Sequence, residues 1–329
     1  MNAAPRLSVV VPVYNAERYL PPLLDSLHAQ TLHQVEFILV DDGSTDSSPA
    51  LLAEFARRDP RCRLLRQQNG GVSRARNAGI AAALGAYLAF VDADDTVAPD
   101  FCSARLERAE ADQLDLLFCN GQNFSEDLKV GGKTLFAQAK PAGPISGADW
   151  IAQCAADGEF LHFVWLQICR TELARRFPFT PDIVHEDVIW TCEILLAAAR
   201  VGYLDRVLYR YRSNPYSLVN NPSPESQARR IDGYFAVVKT LAAMAARPDL
   251  PKPTSVSLLN QAAVEAGHVF RLARKLRSFR RRISTYARAA DEGLPRILRV
   301  TARGARQRRR AAEGLLLGKV GCVIRAMSG

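Results

Sequence analysis

Seven carboxylates stand in three tight groups that border apolar runs of the chain. Asp92, Asp94 and Asp95 lie within four positions after Tyr87-Leu88-Ala89-Phe90-Val91. Asp41 and Asp42 follow Val35-Glu36-Phe37-Ile38-Leu39-Val40, and Glu186 and Asp187 stand just before the apolar stretch from Val188 to Ala199. Two carboxylates about 5 Å apart repel by roughly 3 kcal/mol at an effective dielectric of about 20, so the Asp92–Asp95 group calls for an opposing charge. A divalent cation held by hard oxygen ligands offsets that repulsion and can bridge a diphosphate. The bland alternatives are a solvated acidic loop, or a cap for the helix that Pro99 begins. A carboxylate at 186–187 suits the positive end of a helix dipole, the reading that local sequence favours, and could also abstract a proton from a hydroxyl.

The elements around these groups follow from the hydrophobic pattern. Leu7–Val13 is a short β-branched run and reads as a buried strand, as do Val35–Val40 and Tyr87–Val91, with a shorter strand at Arg63–Arg66. Helices are expected from Pro21-Pro22 through Leu27, over Ser48–Arg57 and over the Ala-rich Ser73–Leu84. This alternation predicts an α/β chain built of βαβ units on a mostly parallel sheet, where ligands bind beyond the carboxyl ends of the strands. Asp41-Asp42, the turn Asn69-Gly70-Gly71 and Asp92–Asp95 all follow strands, which directs them to one crevice. Residues 125–147, with Gly131-Gly132, Pro141, Gly143 and Pro144, read as a loop or hairpin over that site. Helix resumes at Gly147–Cys154, Gly202–Arg212 alternates as a strand, and helix dominates from about Gln227, broken at Pro248–Pro253 and Gly293–Pro295.

The stretches "SVVVPVYNAERYL", "VDDGSTDSS", "NGGVSRARNAGI" and "FVDADD" resemble, in order and spacing, the family 2 glycosyltransferases of the GT-A fold, including bacterial lipopolysaccharide and capsule enzymes. The likeness is close over residues 7–100 and continues through "VHEDVIW" and "LYRYRSNPYS". It implies a Rossmann-like nucleotide-sugar-binding catalytic domain over 1–220, followed by a helical, basic region over 221–329.

The resemblance also implies roles. Pro12, Tyr14 and Glu17 would line the nucleobase pocket, with the Tyr14 ring against the base, and Asp42 would accept the imide N–H of a uracil. Asp41 either approaches the donor or caps the following turn. Of Arg74 and Arg76, one approaches base or diphosphate and the other is solvated; Arg74 is the candidate. Asn77 and Gly79 shape helix–sheet packing. Asp92 would contact the ribose and Asp94 a Mn2+ or Mg2+ ion, while Asp95 supports the site or caps the helix at 99. Asp187 would be the base of an inverting displacement, needing no second nucleophilic carboxylate, with Glu186 supporting it or binding acceptor. Arg212, in the alternating Tyr209–Arg212 stretch, reaches the diphosphate or acceptor or is an ordinary strand arginine.

The implied reaction moves a sugar from a nucleotide donor, a UDP-sugar, to a lipid-carried surface glycan such as lipopolysaccharide core, O-antigen or capsule precursor. A nucleotidyltransferase is the rival enzyme class, and a Gly-rich, Lys-containing phosphate loop is missing near residue 12. An inactive scaffold is the non-enzymatic rival, yet Asp42, Asp94 and Asp187 are all present.

Composition bounds the setting. The N-terminal Met1-Asn2-Ala3-Ala4-Pro5 lacks signal-peptide character, and no apolar run reaches the roughly 20 residues of a membrane span. The seven cysteines are scattered without a CxxC, which argues against a zinc site or disulfide framework and for a reducing cytoplasm. The net charge of +9 is local: Arg271–Arg325 holds 17 Lys and Arg against 3 Asp and Glu, the remainder 26 against 31. Within that segment Val269, Leu272, Leu276, Phe279, Ile283 and Tyr286 recur at helical spacing, so one basic amphipathic helix is expected. Such a helix suits the anionic cytoplasmic face of the inner membrane; packing on the protein's own surface is the alternative, and nucleic acid is disfavoured because no recognised binding fold accompanies it.

Overall fold

The computed structural model describes residues 4–124, 130–137, 140–141, 143–157, 162–213, 223–276 and 278–301. The chain divides into two compact units: Met1–Trp150, Leu161–Asp182 and Trp190–Asn214 form the first, and Ile151–Phe160, Ile183–Ile189 and Pro215–Gly329 the second. A single cut near residue 220 would have left 151–160 and 183–189 with the first.

The first unit opens with the alternation that the sequence predicts: β1 (Leu7–Val13), α1 (Leu20–His28), β2 (Val35–Asp41), α2 (Ser48–Arg58), β3 (Cys62–Arg66), α3 (Val72–Ala82) and β4 (Tyr87–Phe90). The chain continues with β5 (Thr96–Val97), α4 (Phe101–Ala111), β6 (Leu116–Phe124), β7 (Val130–Thr134), α5 (Gly147–Asp157), β8 (Gln167–Arg170), α6 (Thr171–Arg176), α7 (Glu186–Ala197) and β9 (Val201–Arg212), residues 151–157 of α5 and 186–189 of α7 belonging to the second unit. The nine strands form one sheet in the order β3-β2-β1-β4-β8-β6-β9-β5, with β7 paired to β6. The first four are parallel, with Val13 opposite Asp41 and Asp41 opposite Arg66. β8 runs antiparallel to both β4 and β6, and β6 pairs parallel with β9, so β1, β2, β3, β4, β6 and β9 share one direction and the sheet is mostly parallel, as the alternation predicts. Every residue of β1, β2 and β4 is buried, which explains why these strands read as continuous apolar runs.

Helix α3 lies tight on β1. A Cβ built on Gly79 would sit 2.3 Å from Val10 Cγ1 and 2.8 Å from its Cγ2. Gly79→Ala is therefore expected to cost about 1–3 kcal/mol through overpacking, read as a lowered calorimetric Tm.

The second unit is built mainly of helices, α8 (Pro224–Ala245), α9 (Lys252–Lys275), α10 (Phe279–Asp291) and α11 (Leu294–Thr301). Breaks fall at the expected prolines and at Gly293, and α9 also ends at Lys275, inside a stretch whose spacing predicts one continuous helix. Val269, Leu272, Leu276, Ile283 and Tyr286 are all buried, with Phe270 and Tyr286 stacked at 6.0 Å. The stripe is thus shared by two helices and spent on the unit's own core, which corrects the single membrane-facing helix; the Phe279 side chain lies outside the described residues. Among the described residues no helix is long and apolar enough to cross a membrane.

Candidate active site

β1 stands between β2 and β4, so successive connections leave it in opposite directions and open a crevice beyond its carboxyl end. Two loops close one wall. Asn15 Oδ1 accepts Thr45 N–H at 2.8 Å, and its own N–H reaches Ser44 Oγ at 3.0 Å. Glu17 Oε2 accepts Ser47 N–H at 2.8 Å, while Glu17 N–H donates to Asp46 Oδ2 at 3.0 Å. Asp41 Oδ1 accepts Ser44 N–H at 3.0 Å, so Asp41 caps this turn. Pro12 is buried within β1, and Tyr14, 52% exposed, presents its ring at the strand end.

Asp42 is buried and shapes the neighbouring loop. Its Oδ1 accepts Gln67 Nε2 at 2.7 Å and Gly70 N–H at 2.9 Å, and its Oδ2 accepts Gly71 N–H at 2.8 Å. Gly71 has φ 87, a conformation that only glycine adopts without strain. A carboxylate has about four acceptor positions, so a further donor can still be received.

The Asp92–Asp95 loop is pinned from two sides. Arg76, buried on α3, donates to Asp92 Oδ1 at 3.0 Å and lies over the Phe179 ring. Asn77 exchanges two hydrogen bonds with the Phe179 backbone, at 2.9 and 2.8 Å, holding that ring's segment against α3. On the other side Tyr209 O–H donates to Asp95 Oδ2 at 2.6 Å, and Arg212 N–H to Asp95 Oδ1 at 2.7 Å. Tyr209 oxygen also accepts Asp92 N–H at 3.1 Å. Asp95, 0% exposed, is therefore the tie between the loop and β9 rather than the cap of the helix beyond Pro99. Arg212 turns inward as well: its Nε donates to the Asp94 carbonyl at 2.6 Å and its guanidinium lies over Phe124. The alternation of β9 exposes Arg210 instead.

Burial, and then the charges of Asp94 and Asp92, push the Asp95 carboxyl well above its ordinary value, against the two hydrogen bonds it receives. The folded protein therefore binds this proton more tightly than the unfolded chain. The group's contribution to stability is full below the ordinary value of 3.8 and is lost as pH rises through the raised folded value. Asp95→Asn, which resembles the protonated form, is expected to lose less stability than wild type as pH rises above the ordinary value of 3.8 in parallel denaturant titrations.

Glu186 and Asp187 open the first turn of α7, two residues before Val188, where the sequence pattern places its start. Glu186 is buried and Asp187 half-buried, with Asp187 Oδ1 accepting Val188 N–H at 3.0 Å. Asp182 and His185, just before them, have φ 65 and 70, left-handed values uncommon for side-chain-bearing residues. Three residues further on, Trp190 stacks on Phe179 at 4.7 Å and meets Phe90, the last residue of β4, edge-on at 5.5 Å. Arg74 is half exposed and pairs with Asp182 at 2.7 Å.

The fold thus gathers Pro12, Tyr14, Glu17, Asp41, Asp42, Asp92, Asp94, Asp95 and Arg212 at the strand ends of the first unit, with Arg74 on α3 nearby. Arg76, the member of the Arg74–Arg76 pair that the sequence left to solvent, is instead the buried one, and Tyr209 is the residue to which the sequence pattern gave no role at the site.

Among the described residues no group of three or more His, Cys, Asp or Glu side chains could cage a metal. The half-buried Asp94 stands at the loop's turn, between Asp92, which Arg76 engages, and Asp95, which Tyr209 and Arg212 hold. One carboxylate together with phosphate oxygens is how Mg2+ is usually held, so these residues fit a cation that arrives with a diphosphate.

The sequence model of Glycosyl transferase family 2 matches residues 8–161. EpsH of Bacillus subtilis is 32% identical over 73% of this chain and 69% of its own length. The uncharacterised glycosyltransferase YibD of Escherichia coli is 35% identical over 64% of this chain, and the match spans 62% of YibD, less than two thirds. The structure of S. aureus TarS 1–349 in complex with UDP-GlcNAc superposes with a TM-score of 0.72 over 95% of this chain and 90% of that one, at 20% identity, a likeness of fold. The chain belongs to glycosyl transferase family 2, on the α/β framework of the GT-A glycosyltransferases.

Proposed function

We propose that the protein is an inverting glycosyltransferase that moves a sugar from a nucleotide diphosphate, a UDP-sugar, to a hydroxyl of a surface glycan such as lipopolysaccharide core, O-antigen or a capsule precursor. The observation that carries this reading is the set of polar groups at the β1–β4 switch point: an exposed Tyr14 ring, the Asp42-held Gly70-Gly71 loop and the pinned Asp92–Asp95 turn. Tyr14 stacks on the base, with Pro12 and Glu17 in the adjoining wall, and Asp42 receives the imide N–H through its remaining acceptor position. Asp92, oriented by Arg76, binds the ribose, and Arg74 offers a cation at the mouth. Asp94 holds Mn2+ or Mg2+, which when bound supplies positive charge to the leaving diphosphate. Asp187 takes the acceptor proton as the hydroxyl attacks the anomeric carbon from the face opposite the diphosphate, and Glu186 supports it. Arg212 is a framework residue that fixes the Asp94 carbonyl. A panel of UDP-, GDP- and dTDP-sugars, assayed for nucleoside diphosphate release with and without divalent metal, tests the reading; release from none of them would overturn it.

The acceptor class brings the protein to the cytoplasmic face of the inner membrane. With the apolar stripe buried, attachment falls to exposed Arg271, Arg274, Lys275, Arg280 and Arg281. Each contributes about 1 kcal/mol near an anionic surface and is screened within a Debye length of about 3 Å at 1 M salt. Vesicles containing anionic lipid are expected to sediment the protein at low salt and to release it fully in high salt. A salt-resistant fraction would contradict an attachment made by charge alone.

A further inference from the structure

We infer that helix α8 positions the carboxylates of α7, with Gly233 and Tyr234 gripping Val184 and His185 so that Asp187 is held in place; this rests on the assignment of Asp187 as the base.

His185 lies two residues before Asp187 and has φ 70. A side-chain-bearing residue in that region costs on the order of 1–3 kcal/mol and persists only where its surroundings over-determine it. Two adjacent residues of α8 provide that. The His185 ring stacks on Tyr234, centroids 4.0 Å apart and planes 19° apart. Tyr234 is itself buried and meets His268 of α9 edge-on at 5.0 Å. His268 Nδ1 lies 3.2 Å from Oε2 of buried Glu265, whose Oε1 accepts Gln261 Nε2 at 2.5 Å. The Tyr234 ring is thus backed by a fixed layer and cannot follow His185 if the loop shifts.

Gly233 supplies the second hold. It sits inside a helix of 22 residues, where glycine costs roughly 0.5–1 kcal/mol relative to alanine. Its value there is contact: a Cβ at Gly233 would lie 2.2 Å from the Val184 carbonyl oxygen and 3.0 Å from its carbon. One residue of α8 admits the backbone of Val184, and the next clamps the ring of His185. Because Glu186 and Asp187 follow directly as the first turn of α7, displacing this pair displaces the carboxylates with it. None of the four gripping or gripped residues is assigned contact with substrate; they are positioning residues.

The test compares His185→Gly, His185→Phe and Gly233→Ala with wild type and Asp187→Asn. Turnover is followed with the preferred donor of the panel above, and donor-site integrity by UDP affinity in titration calorimetry. Glycine adopts φ 70 freely, so His185→Gly keeps the backbone conformation accessible and removes only the clamp. A misplacement of about 1 Å is enough to lower turnover about 10²-fold, the fall in kcat expected for His185→Gly and Gly233→Ala. UDP affinity should stay within about two-fold of wild type, since only a group acting on the chemical step is disturbed. His185→Phe keeps a ring to stack on Tyr234 and should recover most of the wild-type kcat. Wild-type kcat in His185→Gly, a His185→Phe variant as impaired as His185→Gly, or UDP affinity falling in step with kcat would each overturn the positioning role. Full turnover in Asp187→Asn would instead defeat the base assignment, whereas an inactive Asp187→Asn beside a normal His185→Gly defeats the positioning alone.

Discussion

Asp187→Asn should leave UDP affinity close to wild type and lower kcat by about 10³-fold, within the range that a positioned general base contributes. The amide is nearly isosteric with the carboxylate, and its oxygen can still accept the Val188 N–H that Asp187 Oδ1 receives at 3.0 Å. The first turn of α7 therefore keeps its local bonding, and the fold is not the variable. What the amide lacks is the capacity to take up a proton, so the defect belongs to the chemical step and to kcat rather than to donor binding. A parallel Glu186→Gln variant separates the two neighbours. Glu186 is buried, and its substitution should show as a change in acceptor KM or in stability, with a smaller effect on kcat. A collapse of UDP affinity with surviving turnover in Asp187→Asn would make Asp187 a binding residue and send the search for the base elsewhere.

The part of the fold legible in the sequence is the part where one physical signal dominates. β1, β2 and β4 are buried on both faces, so they read as β-branched runs, and the carboxylates that end them stand out against that background. β6 does not read that way, because it carries Asn120, Gly121, Gln122 and Asn123 within its span. The Asn120 amide is satisfied across a hairpin, donating to the Phe136 carbonyl and accepting its N–H, both at 3.0 Å, a tertiary compensation that no local pattern announces. β5 is two residues long and exists only through its pairing with β9.

The basic tail failed for a different reason. Its apolar spacing of three and four continues unbroken through Leu276 and Phe279. Leu276 nevertheless leaves the helix with ψ 124, and Ser278 restarts it by accepting Arg281 N–H at 3.3 Å. Periodicity reports which residues share a face, not what covers that face; the one local signal for the break was a serine three positions before Arg281. The site divides similarly. Asp42 and Asp92–Asp95 were visible as residues, whereas the Asp95–Tyr209 bond joins positions 114 apart and emerges only once β5 has paired with β9.

Asp94→Ala should lower metal-dependent turnover by about 10³-fold, the equivalent of about 4 kcal/mol of charge stabilisation withdrawn from the transition state. The structure explains why this variant should remain folded. The loop is held by Asp95, through Tyr209 and the Arg212 N–H, and by Asp92 through Arg76. Asp94 contributes its backbone carbonyl to Arg212 Nε at 2.6 Å, a bond that survives truncation of the side chain. Without metal or nucleotide the variant should therefore still unfold in one cooperative calorimetric transition, as a folded protein does. The decisive comparison is linkage. Wild-type Tm should rise when Mn2+ is added together with UDP, because a ligand that binds only the folded state stabilises it in proportion to the logarithm of its concentration over Kd. In Asp94→Ala the rise with UDP alone should persist, and the extra increment from Mn2+ should disappear. If Mn2+ raised both proteins equally, the cation would be held by another group, with Asp92 released from Arg76 the first to examine. Near-normal turnover in a well-folded Asp94→Ala would remove Asp94 from the metal site altogether.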